Sequence, residues 1–196
     1  MNHQDQVRIR VKQAYTRIAE HPDAAPLFPT GRALAEGVGY PPDLLDTLPA
    51  ASAEAFCGLS NVSLFAELPE GATVLEVGCG AGLDTLIAAR RAGEEGKVIA
   101  VDFSTAMLHR ARDSAREVGI DNIEFLCSDA EKLPVPEGSI DVAIVNGIFN
   151  LNPWRDQIFS EIARVVKPGG AVYAAEIVLA GPLPEWERKS ADNWLS

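Results

Sequence analysis

Basic residues are scarce: 17 Lys and Arg stand against 28 Asp and Glu, a net charge of −11. Non-specific nucleic-acid binding needs clustered cations that release counterions from phosphates, so that class of partner is disfavoured. The one compact basic run, Arg90-Arg91, is followed by Glu94 and Glu95 and reads as a solvated helix end. Cysteine is scarcer still. Cys57, Cys79 and Cys127 are odd in number and widely spaced, a poor disulfide framework. Free thiols suit a reducing compartment. No stretch approaches 18 uninterrupted apolar residues, so no membrane span is expected. The polar start M-N-H-Q-D-Q-V-R lacks the apolar region of a secretory signal, which makes the cytoplasm the expected location. What is present is a globular composition: 196 residues, 47% hydrophobic and 23% charged, enough for one well-packed domain with a modest appendage.

Two styles of sequence follow one another. Up to about residue 70 the chain reads as a helical appendage. Val7, Val11, Tyr15 and Ile18 recur near the 3.6-residue period, and His21-Pro22 ends that helix because the residue before a proline leaves the helical region. Asp23 to Pro42 is punctuated by Pro and Gly, with little periodicity. Short helices are predicted around Asp43-Leu48 and Ser60-Ala66. From Gly71 apolar β-rich runs alternate with amphipathic helices. The strands are Thr73-Val77, Lys97-Val101, Asn122-Cys127, Ile140-Asn146 and Ala171-Val178. The helices are Leu83-Ala92, Ser104-Val118 and Trp154-Val166. Ser104 is placed as an N-cap and Gly119 just past the other end, with Met107, Leu108, Ala111, Ala115 and Val118 as the apolar stripe. Lys167-Pro168-Gly169-Gly170 is expected to stop the last helix, and Asp129 to Ser139 stays irregular.

This alternation predicts an α/β fold with a parallel sheet covered on both faces. Residues 1–70 then form a helical lid on the substrate side and residues 71–196 the ligand-binding domain. Ligands in such sheets sit outside the carboxyl ends of the strands, at a topological switch point. That rule directs attention to Glu76-Asp84, Asp102-Phe103, Ser128-Ala130 and Asn146-Ile148.

The stretch V-L-E-V-G-C-G-A-G-L-D carries an acid, Glu76, straight before three alternating glycines, Gly78, Gly80 and Gly82. A P-loop needs Lys followed by Ser or Thr, which is absent. A dinucleotide fingerprint needs a glycine where Leu83 or Thr85 stands, depending on the frame. An acid before the loop would repel a pyrophosphate but suits a ligand bearing an ammonium and a sulfonium. The glycines then allow close backbone approach around Cys79. Asp102 lies about 20 residues beyond the loop, the place of a carboxylate that takes ribose hydroxyls. At the third strand end Ser128, Asp129 and Ala130 offer an acceptor for an exocyclic amine and an N–H for a ring nitrogen; Asp129 also has a plain reading as a turn former. Phe103 and Met107 are placed to cover a purine. An adenosine with a cationic tail and no phosphate is S-adenosylmethionine, and its methionine end would run along Glu76, Gly78, Asn146 and Gly147.

In these residues the chain resembles the class I S-adenosylmethionine-dependent methyltransferases. Glu76-Gly82, Asp102, Asp129-Ala130, Leu133-Pro134, Ile140-Val145 and the V-K-P-G-G turn at 166–170 match that family's motifs in order, over roughly residues 70 to 180. Within it, G-A-G-L-D-T-L-I-A-A-R-R, N-G-I-F-N-L-N-P and Leu183-Pro184-Glu185 are similar to arsenite methyltransferases, as are Gly39-Tyr40 and F-C-G-L-S-N at 56–61. The resemblance implies a Rossmann-like sheet and methyl transfer to a small-molecule acceptor, a metalloid or thiol among the candidates. It also shows departures. Gly147 stands in a thiol position, and only Cys57 falls near an arsenic-ligand position. A soft trivalent centre held by one thiolate would be weakly fixed. The family sheet has seven strands; five are countable here, so strands 6 and 7 are expected to be missing. Residues 179–196 read as a turn and a short helix, and a second copy pairing in a homodimer would complete the open sheet edge.

Methyl transfer from a sulfonium is an in-line displacement that needs alignment and water exclusion rather than a metal or a covalent intermediate. No general base stands out: His3, His21 and His109 read as surface residues, and Tyr15 and Tyr40 read equally as lid or core. Cys79 and Cys127 read as small fillers, Cys57 as structural, and Trp154, Trp186 and Trp194 as packing anchors. Two rival readings remain. One is a degenerate module that binds the cofactor without catalysis, and the other is a nicotinamide-dependent oxidoreductase.

Overall fold

The structure, a computed structural model, describes residues 3–21, 28–178 and 180–181. Five parallel strands build its centre: β1 (Thr73–Val77), β2 (Lys97–Asp102), β3 (Ile123–Cys127), β4 (Ile140–Asn146) and β5 (Val166–Ala175). Their order across the sheet is β3-β2-β1-β4-β5. The chain therefore leaves β1 towards one edge, then returns to lay β4 on its other side. The predicted parallel α/β sheet is what these residues form, and the switch point lies between β1 and β4.

The two-residue period of the strands sorts their side chains by face. Leu75, Val77, Ile99, Val101, Ala143 and Val145 pack against Ile158, Ile162 and Val165 of α8 (Arg155–Val165). Val74, Val98, Val142 and Ile144 pack on the other side against Ala88, Ala89 and Ala92 of α6 (Leu83–Ala92) and Val62 of α5 (Val62–Phe65). Glu76 shares the α6 face with Val74, so its carboxyl is buried by position rather than by preference. In α7 (Thr105–Glu117) the Ser104 hydroxyl accepts from the Met107 N–H, and Gly119 follows with a φ of 66°.

The front of the chain holds more helix than its composition announces. α1 (His3–Glu20) and α3 (Pro42–Leu45) lie near the predicted positions, but α2 (Arg32–Gly37) falls inside the stretch expected to be irregular, and α4 (Ala50–Glu54) was not anticipated. Helices under two turns carry no readable period, and tertiary contacts hold them. Arg110 on α7 supplies one such tie, donating to the carbonyls of Ala19 and Ala51 and to the Glu54 carboxylate.

The V-K-P-G-G segment also differs from its prediction. Val166 already pairs with Ile140, and pairing resumes at Ala171 with Val142. Residues 167–170 loop out within the strand, where Lys167 binds Asp141 at 2.6 Å. The strand ends at Ala175 rather than Val178, and the Glu176 carboxylate instead accepts from the N–H groups of Phe149 and Asn150. The short helix read after Pro184, with Trp186 and Trp194, lies outside the described residues.

Candidate active site

Above the carboxyl ends of β1, β2 and β4 opens a cleft with an empty volume of about 1040 Å³. Eleven of the thirteen residues singled out from sequence line it: Glu76, Gly78, Cys79, Gly80, Asp102, Phe103, Ser128, Asp129, Ala130, Asn146 and Gly147. Gly82 and Met107 do not. Gly82 backs onto Ala111 of α7, and Met107 is fully buried beneath Ile18, Ala19 and Ala81. Met107 belongs to the apolar stripe of α7.

The acids of the cleft differ in their partners. Glu76 is 3% exposed, and among the described residues its hydrogen-bond partner is the Thr85 hydroxyl, with no ion pair to a Lys or Arg. Burial, with Asp84 close by, holds its carboxyl well above the ordinary range. Asp102 accepts from the Ser104 N–H at 2.8 Å and the Gly80 N–H at 2.9 Å. Burial outweighs those bonds and pushes the carboxyl up to about 6. A carboxylate has about four lone-pair sites, so Asp102 keeps room for further donors.

Asp129 is engaged differently. Arg8 and Lys12 of α1 both reach it, Lys12 at 2.7 Å. Burial works against ionisation, but these two cations win and hold the carboxyl below its usual range. The same side chains lie over rings, Arg8 over Trp154 and Lys12 over Phe103. Together they fasten α1 across the adenine-side rim predicted from sequence. Asn146 is likewise committed: its amide oxygen accepts from the Leu59 and Ser60 N–H groups, and its NH₂ donates to the Ser60 carbonyl and to Asp84.

Two thiols, Cys57 and Cys79, face the cleft. Burial and nearby Asp102 push Cys57 up to about 12, against a hydrogen bond from Tyr15 that acts the other way. At neutral pH Cys57 is therefore a thiol, not a thiolate. Tyr15, also raised by burial, stays a phenol.

Residues 68–195 match a family described as "Methyltransferase domain". The chain belongs to the methyltransferase-domain family. An arsenite methyltransferase of Halobacterium salinarum is 35% identical to this methyltransferase domain over 158 residues, 81% of this chain and 40% of that protein. A demethylmenaquinone methyltransferase of Lactococcus lactis is 39% identical over 106 residues, 54% of this chain and 42% of the relative. Among solved structures, an arsenic(III) S-adenosylmethionine methyltransferase from Chlamydomonas reinhardtii superposes with a TM-score of 0.63 at 29% identity, covering 82% of this chain and 54% of that one. A SAM-dependent methyltransferase from Aquifex aeolicus gives 0.51 at 30% identity, covering 62% and 70%. These likenesses fit the Rossmann-like sheet described above. The chain spans about two fifths of the length of the curated relatives it matches.

Several residues of the methyltransferase domain's cleft were given no role from sequence: Arg8, Lys12, Phe56, Leu151 and Asp84, the last at the end of the range Glu76-Asp84. Asp84 alone carried a signal, as an acid in the first turn of α6 between Leu83 and Thr85.

Gly147, read from sequence as standing in a thiol position, directly follows the end of β4. Its φ is 78°, and a Cβ there would lie 3.0 Å from Leu59 Cγ. Gly147→Cys is expected to cost about 2 kcal/mol from the left-handed backbone and the crowding together. Thermal unfolding should register a melting temperature lower by roughly 4–8 °C.

Proposed function

We propose that the cleft binds S-adenosylmethionine and directs its methyl group to a small-molecule acceptor. The observation that carries this reading is Glu76: a buried carboxylate that opens onto a ligand-sized cleft and has no cation partner among the described residues. Such a group is costly unless a cation arrives to pair with it. When bound, the donor supplies a methyl on a positively charged sulfur, which a nucleophile displaces in line with the departing thioether. Glu76 would hold the ammonium end, and the open backbone at Gly80, where a Cβ would meet nothing within 4 Å, leaves room beside it. Asp102 would take the ribose hydroxyls on its remaining lone pairs, and Phe103 would cover the base. A nicotinamide dinucleotide fits worse, since its pyrophosphate would meet Glu76.

For the acceptor, Val11, Phe56, Ile148 and Leu151 give the remaining wall an apolar character. Several relatives are named for demethylmenaquinone and two for arsenite. A single thiol near an arsenic-ligand position, Cys57, and the glycine at 147 weigh against a thiolate-held metalloid, so an apolar or aromatic small molecule is the acceptor class favoured. Formation of S-adenosylhomocysteine from S-adenosylmethionine, measured against a panel of aromatic diols and arsenite, tests this. Faster turnover with the diols is expected. Faster turnover with arsenite would reverse the acceptor assignment, and binding of the donor with no turnover on any acceptor would leave a cofactor-binding module.

A further inference from the structure

We infer that Asp84 is a positioning residue which, acting through Asn146, fixes segment 57–60 against the end of β4 and so sets the Cys57 side of the cleft. The inference rests on the methyl-donor reading for what that side faces, while its hydrogen-bond geometry stands independently.

Asp84 is 4% exposed and sits in the first turn of α6. One of its oxygens accepts from the Tyr40 hydroxyl and from the Ser63 N–H at 3.1 Å; the other accepts from Asn146 Nδ2 at 2.9 Å. An ionised carboxylate can only accept. It therefore dictates which way the Asn146 amide points. With the NH₂ turned to Asp84, the amide oxygen must face the segment, where it accepts from the Leu59 N–H at 2.7 Å and the Ser60 N–H at 3.2 Å. The second amide hydrogen goes to the Ser60 carbonyl at 2.7 Å. The chain of bonds thus has one direction only, and Asp84 sets it.

The segment comes close because Gly58 lets it. A Cβ at Gly58 would stand 2.5 Å from Asn146 Nδ2. The bonds link pieces far apart in sequence: Tyr40 just before α3, the 59–63 turn, the start of α6 and the end of β4. Cys57 is the first cleft-lining side chain on the near side of this clamp, and its thiol meets Tyr15 of α1. Asp84 also lies at the positive end of the α6 dipole, which would favour a carboxylate there for stability alone. The test must therefore separate direction-setting from simple burial.

Exchanging the two residues does so. Asp84→Asn places an NH₂ opposite the NH₂ of Asn146; a flip of the Asn146 amide moves the conflict to the Leu59 and Ser60 N–H groups, and a flip of the new amide moves it to the Ser63 N–H. Asn146→Asp places two carboxylates face to face. In Asp84→Asn/Asn146→Asp the donor and acceptor change places: residue 146 accepts from the Leu59 and Ser60 N–H groups and from residue 84, residue 84 still accepts from Tyr40 and Ser63, and the bond to the Ser60 carbonyl is the one lost. The readout is the alkylation rate of Cys57 by iodoacetamide, located by mass spectrometry, in a Cys127→Ser background because Cys127 is exposed. Buried Cys79 serves as the internal control.

Each single substitution is expected to speed Cys57 alkylation about tenfold, the scale of one lost buried charged hydrogen bond acting on a local opening. The double variant is expected to be alkylated about threefold more slowly than either single, short of the parent because the Ser60 carbonyl has lost its donor; that non-additivity marks direct coupling. Unchanged protection in Asp84→Asn overturns the inference. So does a double variant that fails to fold or is no better protected than the singles. S-adenosylhomocysteine binding is measured on the parent in parallel: its absence would sink the donor reading while leaving the Cys57 comparison interpretable.

Discussion

Asp102→Ala is expected to weaken S-adenosylhomocysteine binding by at least about 100-fold, the scale of losing two hydrogen bonds to a charged acceptor. Calorimetric titration reads it directly. The carboxylate lies at the end of β2, is 7% exposed and lines the cleft, and it is pre-oriented by the Ser104 and Gly80 N–H groups. Nothing in that arrangement needs to move to accept from a ribose. Removal leaves those two N–H groups without their acceptor, so the melting temperature should fall as well, and the titration belongs well below the new transition. A pH dependence accompanies the prediction. Burial pushes the Asp102 carboxyl up to about 6 in the folded chain. Below that pH the group takes up a proton and can no longer accept from both hydroxyls, so parent affinity should fall as pH drops through 6. An affinity flat from pH 5 to 8 would count against the assignment.

Glu76→Gln should move stability and binding in opposite directions. The Glu76 carboxyl is held above its ordinary range by burial and by Asp84. For an acid with a raised folded pKa, ionisation costs the fold free energy: the cost is absent below the unfolded value and grows as pH rises through the folded one. The glutamine variant, which cannot ionise, should therefore melt higher than the parent at pH 8, by roughly 3 °C or more for a chain of this size, with the gap closing towards pH 4. The same substitution removes the charge that meets the donor's ammonium, so S-adenosylmethionine affinity should drop about 10- to 100-fold. This is a stability cost carried at a binding site. A variant that loses stability at pH 8, or keeps parent affinity, would contradict the role given to Glu76.

What could be read from the sequence was what depends on neighbours in the chain. β1 to β4 are apolar runs of strand length, and α6 and α7 show helical stripes with Ser104 and Gly119 as punctuation, so their bounds fell within a residue or two of the structure. Glu76 and Asp102 stood out because each is an acid at the end of a buried strand. The unread part depends on partners far away in sequence. Asp129 lines the cleft, but its bond from Lys12, 117 residues earlier, could not be read. Asn146 looks free until Leu59, 87 residues earlier, takes its oxygen. α2 and α4 are six and five residues long, too short to show a period.

The central claim is that this cleft is built for the methyl donor, and one titration tests it most directly. The described chain is titrated by calorimetry with S-adenosylhomocysteine at pH 7.5, and with NADH in a matched experiment. One-to-one binding of S-adenosylhomocysteine, tighter than any NADH signal, is the result predicted. A folded chain that binds NADH more tightly, or binds neither, would contradict it.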